Sequence, residues 1–169
     1  VEARARGIVH VLGGEYRDVV FVHHREDEPE VAVRLGDLVD AARVGAMRDR
    51  TGDDPMPLGW DYGEIFANCE VWMCSRDDKP AGVLILRRQK GDLYLESIAT
   101  TPAVAGMGYG RAMMAGVFNR AHALTAPEIR LKTHALNPAL DWYRRLGFEI
   151  EREEDLGSRT VIHMVARVS

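Results

Sequence analysis

A glycine-rich stretch, Gly106-Met107-Gly108-Tyr109-Gly110, limits more than any other feature what this chain can fold into. The residues before it predict a strand over Asp92–Ala99, and those after it predict a helix from Arg111 to about Ala123. Apolar and charged residues alternate again over 128–133, which predicts another strand. Strand, helix and strand in this order form a βαβ crossover, so the chain must build a sheet with a helical connection.

Short turns and hairpins surround this crossover. Residues 70–99 predict three strands joined by tight turns, which is an antiparallel meander. Asn137 and Pro138 predict the start of a later helix, and Gly147 predicts its end. The predicted strands from residue 70 onward cover 70–75, 81–89, 92–99, 128–133, 148–153 and 160–166. We therefore predict an α/β (α+β) fold with a mixed sheet.

The first part of the chain predicts an addition to this sheet. Gly13-Gly14 separates two apolar runs, 8–12 and 19–24, and a diglycine tolerates the positive φ angles of a hairpin turn. We expect residues 1–28 to form a β-hairpin extension and residues 29–169 to form the main domain.

Charge and hydropathy exclude several classes of partner. The 169 residues suit one domain, which buries roughly 70% of its unfolded surface. With 22 Lys and Arg against 26 Asp and Glu, the net charge is −4, which disfavours nucleic acid as the main partner. No stretch approaches the ~20 apolar residues of a membrane span. Because the start, Val1-Glu2-Ala3-Arg4, has no apolar signal-peptide region, we expect no membrane partner and a cytoplasmic location.

Cysteines and histidines predict no metal site. Cys69 and Cys74 have no second pair, which is too few for a zinc site or a disulfide scaffold. We interpret them as small apolar residues in a reducing compartment. The histidines at 10, 23, 24, 122 and 163 show no ligand spacing.

The glycine turn has the features of an anion site. Glycine removes the side chains that would keep a ligand away from the backbone amides. The helix that follows offers unpaired N–H groups and the positive end of its dipole, which together suit phosphate. Two common phosphate motifs do not match: Arg111 stands where a dinucleotide fingerprint needs glycine, and Arg111-Ala112 replaces the Lys-Ser/Thr of a P-loop. A plain strand-to-helix connection is the alternative.

Two segments resemble the GNAT superfamily of N-acetyltransferases. Ile98-Ala99-Thr100-Thr101-Pro102, followed by the glycine turn and Arg111-Ala112-Met113-Met114, is similar to that superfamily's acyl-CoA-binding motif. Asn137-Pro138-Ala139-Leu140-Asp141-Trp142-Tyr143-Arg144-Arg145-Leu146-Gly147-Phe148 is similar to its later signature. The resemblance covers roughly residues 70–168. It implies a mostly antiparallel sheet with helices on both faces and a V-shaped splay between the fourth and fifth core strands. Because domains of this superfamily are frequently dimers, the resemblance also implies a homodimer.

The resemblance implies acetyl-CoA as the acyl donor. The implied cofactor-binding residues are Ile98, Ala99, Thr100, Ala105, Gly106, Met107, Gly108, Tyr109, Gly110, Arg111, Asn137 and Tyr143. Ile98 and Thr100 are expected to contact the pantetheine amides through their backbone, and Asn137 both the pantetheine arm and its own helix. One position departs from the family pattern, because Ala105 stands where Arg or Gln usually helps at the phosphates. Alanine keeps the backbone amide, and Arg111 partly compensates for the charge.

Tyr143 is the candidate catalytic acid. The resemblance places it near the sulfur of CoA, and a phenol with a pKa near 10 is protonated at pH 7 and can donate to a departing thiolate. The alternative is a packing role beside Trp142 and Phe148.

Glu96 is the candidate catalytic base. Strict alternation along its strand puts Glu96 on one face with Tyr94 and Ile98, and Leu93, Leu95 and Ser97 on the other. A carboxylate among apolar neighbours is costly without a role or a partner. The alternative is an ion pair with Arg87 or Arg88, and His134 is a second candidate base.

The resemblance implies acetyl transfer to a primary amine by direct attack in a ternary complex. The acceptor is a small molecule or a peptide. Acidic and aromatic residues over 53–64 suit a cationic amine, although a solvated acidic loop explains them equally well. A non-catalytic acyl-CoA-binding domain is the alternative function.

Overall fold

The computed structural model describes residues 10–11, 20–24, 62–77 and 79–169, whose strands all join one mixed sheet. Its strands are β1 (His10–Val11), β2 (Val20–His24), β3 (Glu70–Arg76), β4 (Lys79–Gln89), β5 (Asp92–Thr100), β6 (Glu128–His134), β7 (Glu149–Asp155) and β8 (Thr160–Arg167). Its helices are α1 (Tyr62–Asn68), α2 (Tyr109–Ala123) and α3 (Leu140–Arg145), with a 3₁₀ turn at Pro102–Val104.

The order of strands across the sheet is β1-β2-β3-β4-β5-β6-β8-β7. Every neighbouring pair is antiparallel except β5 and β6, which run parallel because α2 connects them. This confirms the predicted meander, the βαβ crossover and the mixed, mostly antiparallel sheet.

Helices cover both faces of the sheet, as expected. On one face α2 and α3 pack with Leu84, Leu93 and Leu131 in the larger core. On the other, a smaller core of Val71, Val83, Ile85 and Ala99 contacts residues of α1 and Cys69. Among the described helices, none is long and apolar enough to cross a bilayer.

A β-bulge in β5 corrects the alternation predicted for that strand. Ile85 of β4 pairs with Ser97, whereas the next residue of β4, Leu86, pairs with Leu95. Glu96 is therefore an extra residue, and the side chains after it change face. Ile98 packs in the α2-side core with Leu95, not on the face of Glu96, and Ser97 lies on the face of Ile85. The predicted faces of Ile98 and Ser97 were wrong because a bulge depends on pairing with β4, which a local pattern does not contain.

The N-terminal strands extend the same sheet. β1 pairs with β2, and β2 pairs with β3 through Val22 and Met73 among other positions. The expected turn at Gly13-Gly14 lies outside the described residues, and the division into 1–28 and 29–169 stays a prediction.

Candidate active site

The sheet opens between β5 and β6. These strands pair at only three positions, Leu93 with Ile129, Tyr94 with Arg130 and Leu95 with Leu131. Beyond them β5 continues to Thr100 beside β4, and β6 continues to His134 beside β8. The two strands therefore separate toward their C-terminal ends, which confirms the expected V-shaped splay.

The glycine turn lies between the end of β5 and the start of α2. Gly106 and Gly108 have positive φ angles of 76° and 86°, which residues other than glycine rarely adopt. A Cβ on Gly106 would meet no atom of the described residues within 4 Å. In the first turn of α2 the Ala112 amide donates to the Gly108 carbonyl at 3.0 Å. The amides of Gly110 and Arg111 precede it, so the exposed turn leads to the positive end of a 15-residue helix.

Not every amide of the turn is available to a ligand. The Ala105 amide donates to the Pro102 carbonyl at 3.2 Å, and the Met107 amide donates to the Val104 carbonyl at 3.1 Å. The ring of Tyr109 is buried in the core beside α2, so a contact from Tyr109 to a ligand in the turn would use its backbone. Arg111 is exposed.

Asn137 joins α3 to the separating end of β6. Its Nδ2 donates to the Thr133 hydroxyl at 2.6 Å, and its Oδ1 accepts from the Ala139 amide at 2.9 Å. The prediction that Asn137 caps a helix beginning at Pro138 was wrong, because Pro138 and Ala139 form a turn and α3 begins at Leu140 with Ala139 at its cap position. Asn137 instead closes the turn that leads into α3. Thr133 is two residues beyond the last β5–β6 pair, so Asn137 lies next to the opening.

Tyr143 lies on α3, with its ring buried. The ring centroid is 5.2 Å from that of Trp142 and 5.9 Å from that of Phe148, the second contact being edge-to-face. A Cβ on Gly110 would be 3.5 Å from the Trp142 indole, so α3 packs against the start of α2. The packing role weighed for Tyr143 is therefore present. A catalytic role of its hydroxyl stays a prediction. The predicted end of the helix at Gly147 agrees with its φ of 95°.

Glu96 forms an ion pair with Arg87. Arg87 Nε donates to Glu96 Oε1 at 2.6 Å, and the Arg87 guanidinium lies 5.4 Å from the centroid of the Tyr94 ring. The Glu96 side chain is 20% exposed. Of the alternatives for this residue, the ion pair with Arg87 is the one formed. If Glu96 acts as a base, it must therefore do so while it is paired with the Arg87 guanidinium.

His134 is arranged as a hydrogen-bond acceptor in a turn. Its Nδ1 accepts from the Leu136 amide at 2.9 Å. In the neutral ring this puts the proton on Nε2, which leaves no nitrogen to take a proton while that bond is kept. The contact favours a structural role over a role as base.

Ser97 is a residue near the site that sequence reasoning did not single out. Its side chain lies in the bulge next to Glu96, and its Oγ is buried with no hydrogen-bond partner among the described residues. Among residues 62–77 and 79–169, no group of three His, Cys, Asp or Glu side chains is placed to hold a metal. Most of the acidic and aromatic stretch at 53–64 lies outside the described residues.

Comparisons with known proteins give the same architecture. The family model described as the Acetyltransferase (GNAT) family matches residues 39–148. A Desulfovibrio desulfuricans protein assigned to the GNAT family has a TM-score of 0.72 at 20% identity, covering 89% of this chain and 99% of that chain. The Escherichia coli ribosomal-protein-S18-alanine N-acetyltransferase has a TM-score of 0.68 at 18% identity, covering 89% and 94%. A GNAT family acetyltransferase of Elizabethkingia anophelis with acetyl-CoA bound has a TM-score of 0.66 at 14% identity, covering 89% and 98%.

No curated protein sequence matches this chain. Sequence identities this low show that the fold is shared. They do not assign the substrates of those proteins to this chain. The family model is the stronger finding, because its match spans more than half of the 169 residues and includes both the glycine turn and α3. The chain belongs to the GNAT family of acetyltransferases.

Proposed function

We propose that this chain transfers an acetyl group from acetyl-CoA to a primary amine of a small molecule or peptide. The observation that carries the proposal is the separation of β5 from β6 beside an exposed glycine turn at the start of α2. Family membership supports it, as do similar structures of other proteins with acetyl-CoA or CoA bound.

The residues around the opening suit CoA in both charge and shape. The turn from Gly106 to Arg111 would hold the diphosphate, because its glycines leave the backbone exposed and α2 contributes a positive dipole end. Backbone groups of Ile98 and Thr100 would bind the pantetheine amides. Asn137 would close the other side of the opening, where its Nδ2 already donates to Thr133.

When bound, acetyl-CoA supplies an activated thioester whose carbonyl carbon accepts the amine and whose C–S bond breaks. Tyr143 would donate its phenolic proton to the departing sulfur, since a phenol is protonated at neutral pH. Glu96 would take the proton lost by the attacking amine, directly or through water. The ion pair with Arg87 engages Oε1 of Glu96, so this role would fall to Oε2. Cys69 and Cys74 lie outside both motifs, so we assign no acyl-enzyme step.

Replacing Tyr143 with Phe tests this assignment. The ring contacts with Trp142 and Phe148 are kept, so the fold and the Kd for acetyl-CoA should be unchanged. Loss of the acid should lower kcat by about 10²- to 10⁴-fold. The matched control is Tyr94→Phe, which removes a phenol from the paired part of β5 and should keep the wild-type rate. A Tyr143→Phe enzyme with full kcat would show that another group protonates the sulfur.

A non-catalytic acyl-CoA-binding domain is the second candidate function. The Glu96–Arg87 pair and the occupied Nδ1 of His134 favour it, since neither candidate base is unengaged. Thiol release from acetyl-CoA over a mixed panel of amines separates the two functions: an enzyme consumes the thioester with at least one amine, whereas a binding domain does so with none. We also propose that the chain is cytoplasmic and that it forms a homodimer. Light scattering of the full chain would test the homodimer.

A further inference from the structure

We propose that Arg76 binds the diphosphate of the acyl donor and replaces the charge that Ala105 lacks; this inference rests on the proposed function. Arg76 Nη1 lies 3.1 Å from Met107 Sδ, although the two residues are 31 positions apart in the chain. Met107 stands between the two positive-φ glycines of the turn. A guanidinium from another hairpin is therefore in contact with the middle of the glycine turn.

Strand pairing fixes the position of the Arg76 backbone. Arg76 is the last residue of β3 and pairs with Lys79 at the start of β4. The Thr101 amide donates to the Ala81 carbonyl at 2.8 Å, which holds the β3–β4 hairpin against the segment that enters the turn. The position of Arg76 beside the turn therefore follows from the meander itself.

The present contacts of Arg76 are weak enough to be exchanged for a phosphate. A thioether is a poor hydrogen-bond acceptor, so the bond to Met107 uses little of the guanidinium's capacity of five donors. Arg76 Nε is 3.7 Å from Asp77 Oδ2, beyond hydrogen-bond distance, and the Asp77 side chain is 85% exposed. The Arg76 side chain is itself 45% exposed and can turn toward a ligand. Phosphate oxygens accept charge-assisted, often bidentate, bonds from arginine, which are much stronger.

The glycine turn needs an additional positive charge to hold a diphosphate. Ala105 brings none, and the Ala105 and Met107 amides already donate to Pro102 and Val104. The diphosphate carries negative charge that the remaining amides and the helix dipole neutralise only in part. Among the described residues, Lys79 pairs with Arg76 in the hairpin and Arg111 follows the turn at the start of α2, so both add positive charge to these two segments.

Calorimetric titration of the full chain with CoA and with 3′-dephospho-CoA tests the inference without depending on turnover. We expect Arg76→Ala to weaken binding of both by about 10- to 100-fold, the loss of a charge-assisted hydrogen bond. Arg76→Lys should fall between wild type and Arg76→Ala. The matched control is Arg167→Ala, an exposed arginine at the end of β8 that pairs with the start of β6, and it should bind like wild type.

A phosphate-free donor separates a phosphate contact from a structural effect. With S-acetylpantetheine, kcat/KM of Arg76→Ala should equal that of wild type, and equal losses with both donors would refute the assignment. An unchanged Kd for CoA would also refute it. A loss seen with CoA but absent with 3′-dephospho-CoA would assign Arg76 to the 3′-phosphate and overturn the diphosphate contact. Failure of the wild-type chain to bind CoA would instead refute the proposed function.

Discussion

Gly82 allows β4 to pack tightly against β5 and α2, and its replacement by alanine should destabilise the fold. A Cβ at this position would lie 2.9 Å from the Ala99 carbonyl oxygen and 3.0 Å from Met113 Sδ. The flexible end of Met113 can move aside. The carbonyl belongs to the backbone of β5, which must shift by about 0.5 Å to reach an ordinary contact of 3.4 Å.

The magnitude follows from two opposing effects. Overpacking of this kind costs about 1–3 kcal/mol. Alanine also reduces the conformational entropy of the unfolded chain, which returns about 0.4–1 kcal/mol. We therefore expect the free energy of unfolding to fall by about 1–2 kcal/mol, which lowers Tm by about 3–6 °C for a domain of this size.

Gly116→Ala is the matched control for Gly82→Ala. Gly116 lies inside α2, where a Cβ would meet no atom within 4 Å in the part of the chain that the structure describes, so alanine should stabilise the helix by about 0.5–1 kcal/mol. Urea denaturation and calorimetry of both variants should give opposite signs. If Gly82→Ala is neutral or stabilising, the close approach to Ala99 is relieved without cost and the reasoning is refuted.

Two further predictions concern Ser97 and the two cysteines. Ser97→Ala removes a buried hydroxyl that has no partner in the described part of the chain, so we expect the free energy of unfolding measured in urea to rise by about 1 kcal/mol; a fall would mean that the hydroxyl is hydrogen-bonded. Burial raises the pKa of Cys74 to about 12, and burial and then Glu96 raise the pKa of the partly exposed Cys69. Because the thiolate is the reactive form, iodoacetamide at pH 8 should alkylate Cys69 first by mass spectrometry, and equal labelling of the folded chain would contradict this.

Local sequence patterns were sufficient for most of the fold. Alternation and tight turns predicted the meander, and the glycine turn predicted the crossover that makes β5 and β6 parallel. Gly147 predicted the end of α3 because its left-handed conformation stops a helix. Each of these features depends on residues that are neighbours in the chain.

Contacts between distant residues could not be predicted in the same way. The bulge at Glu96 depends on the register with β4, and the sequence left both an ion pair and a base role open for that residue. The contact between Arg76 and Met107 requires the hairpin and the glycine turn to be brought together. The sequence identified Ala105 as the departure from the family pattern and Arg111 as a partial compensation, without any indication of Arg76.

The short ladder between β5 and β6 divides the sheet by chain order. Strands β1 to β5 all end by Thr100, and strands β6 to β8 all begin at or after Glu128. The two groups are joined by the three paired positions, by the ion pair of Arg130 with Asp92, and by α2, which contacts β4, β5 and β6. A donor lying in the opening would contact both groups, so its binding should couple their unfolding. Amide exchange at residues 93–95 and 129–131 would then slow when the donor is bound, making the cooperativity of the whole domain depend on the donor concentration.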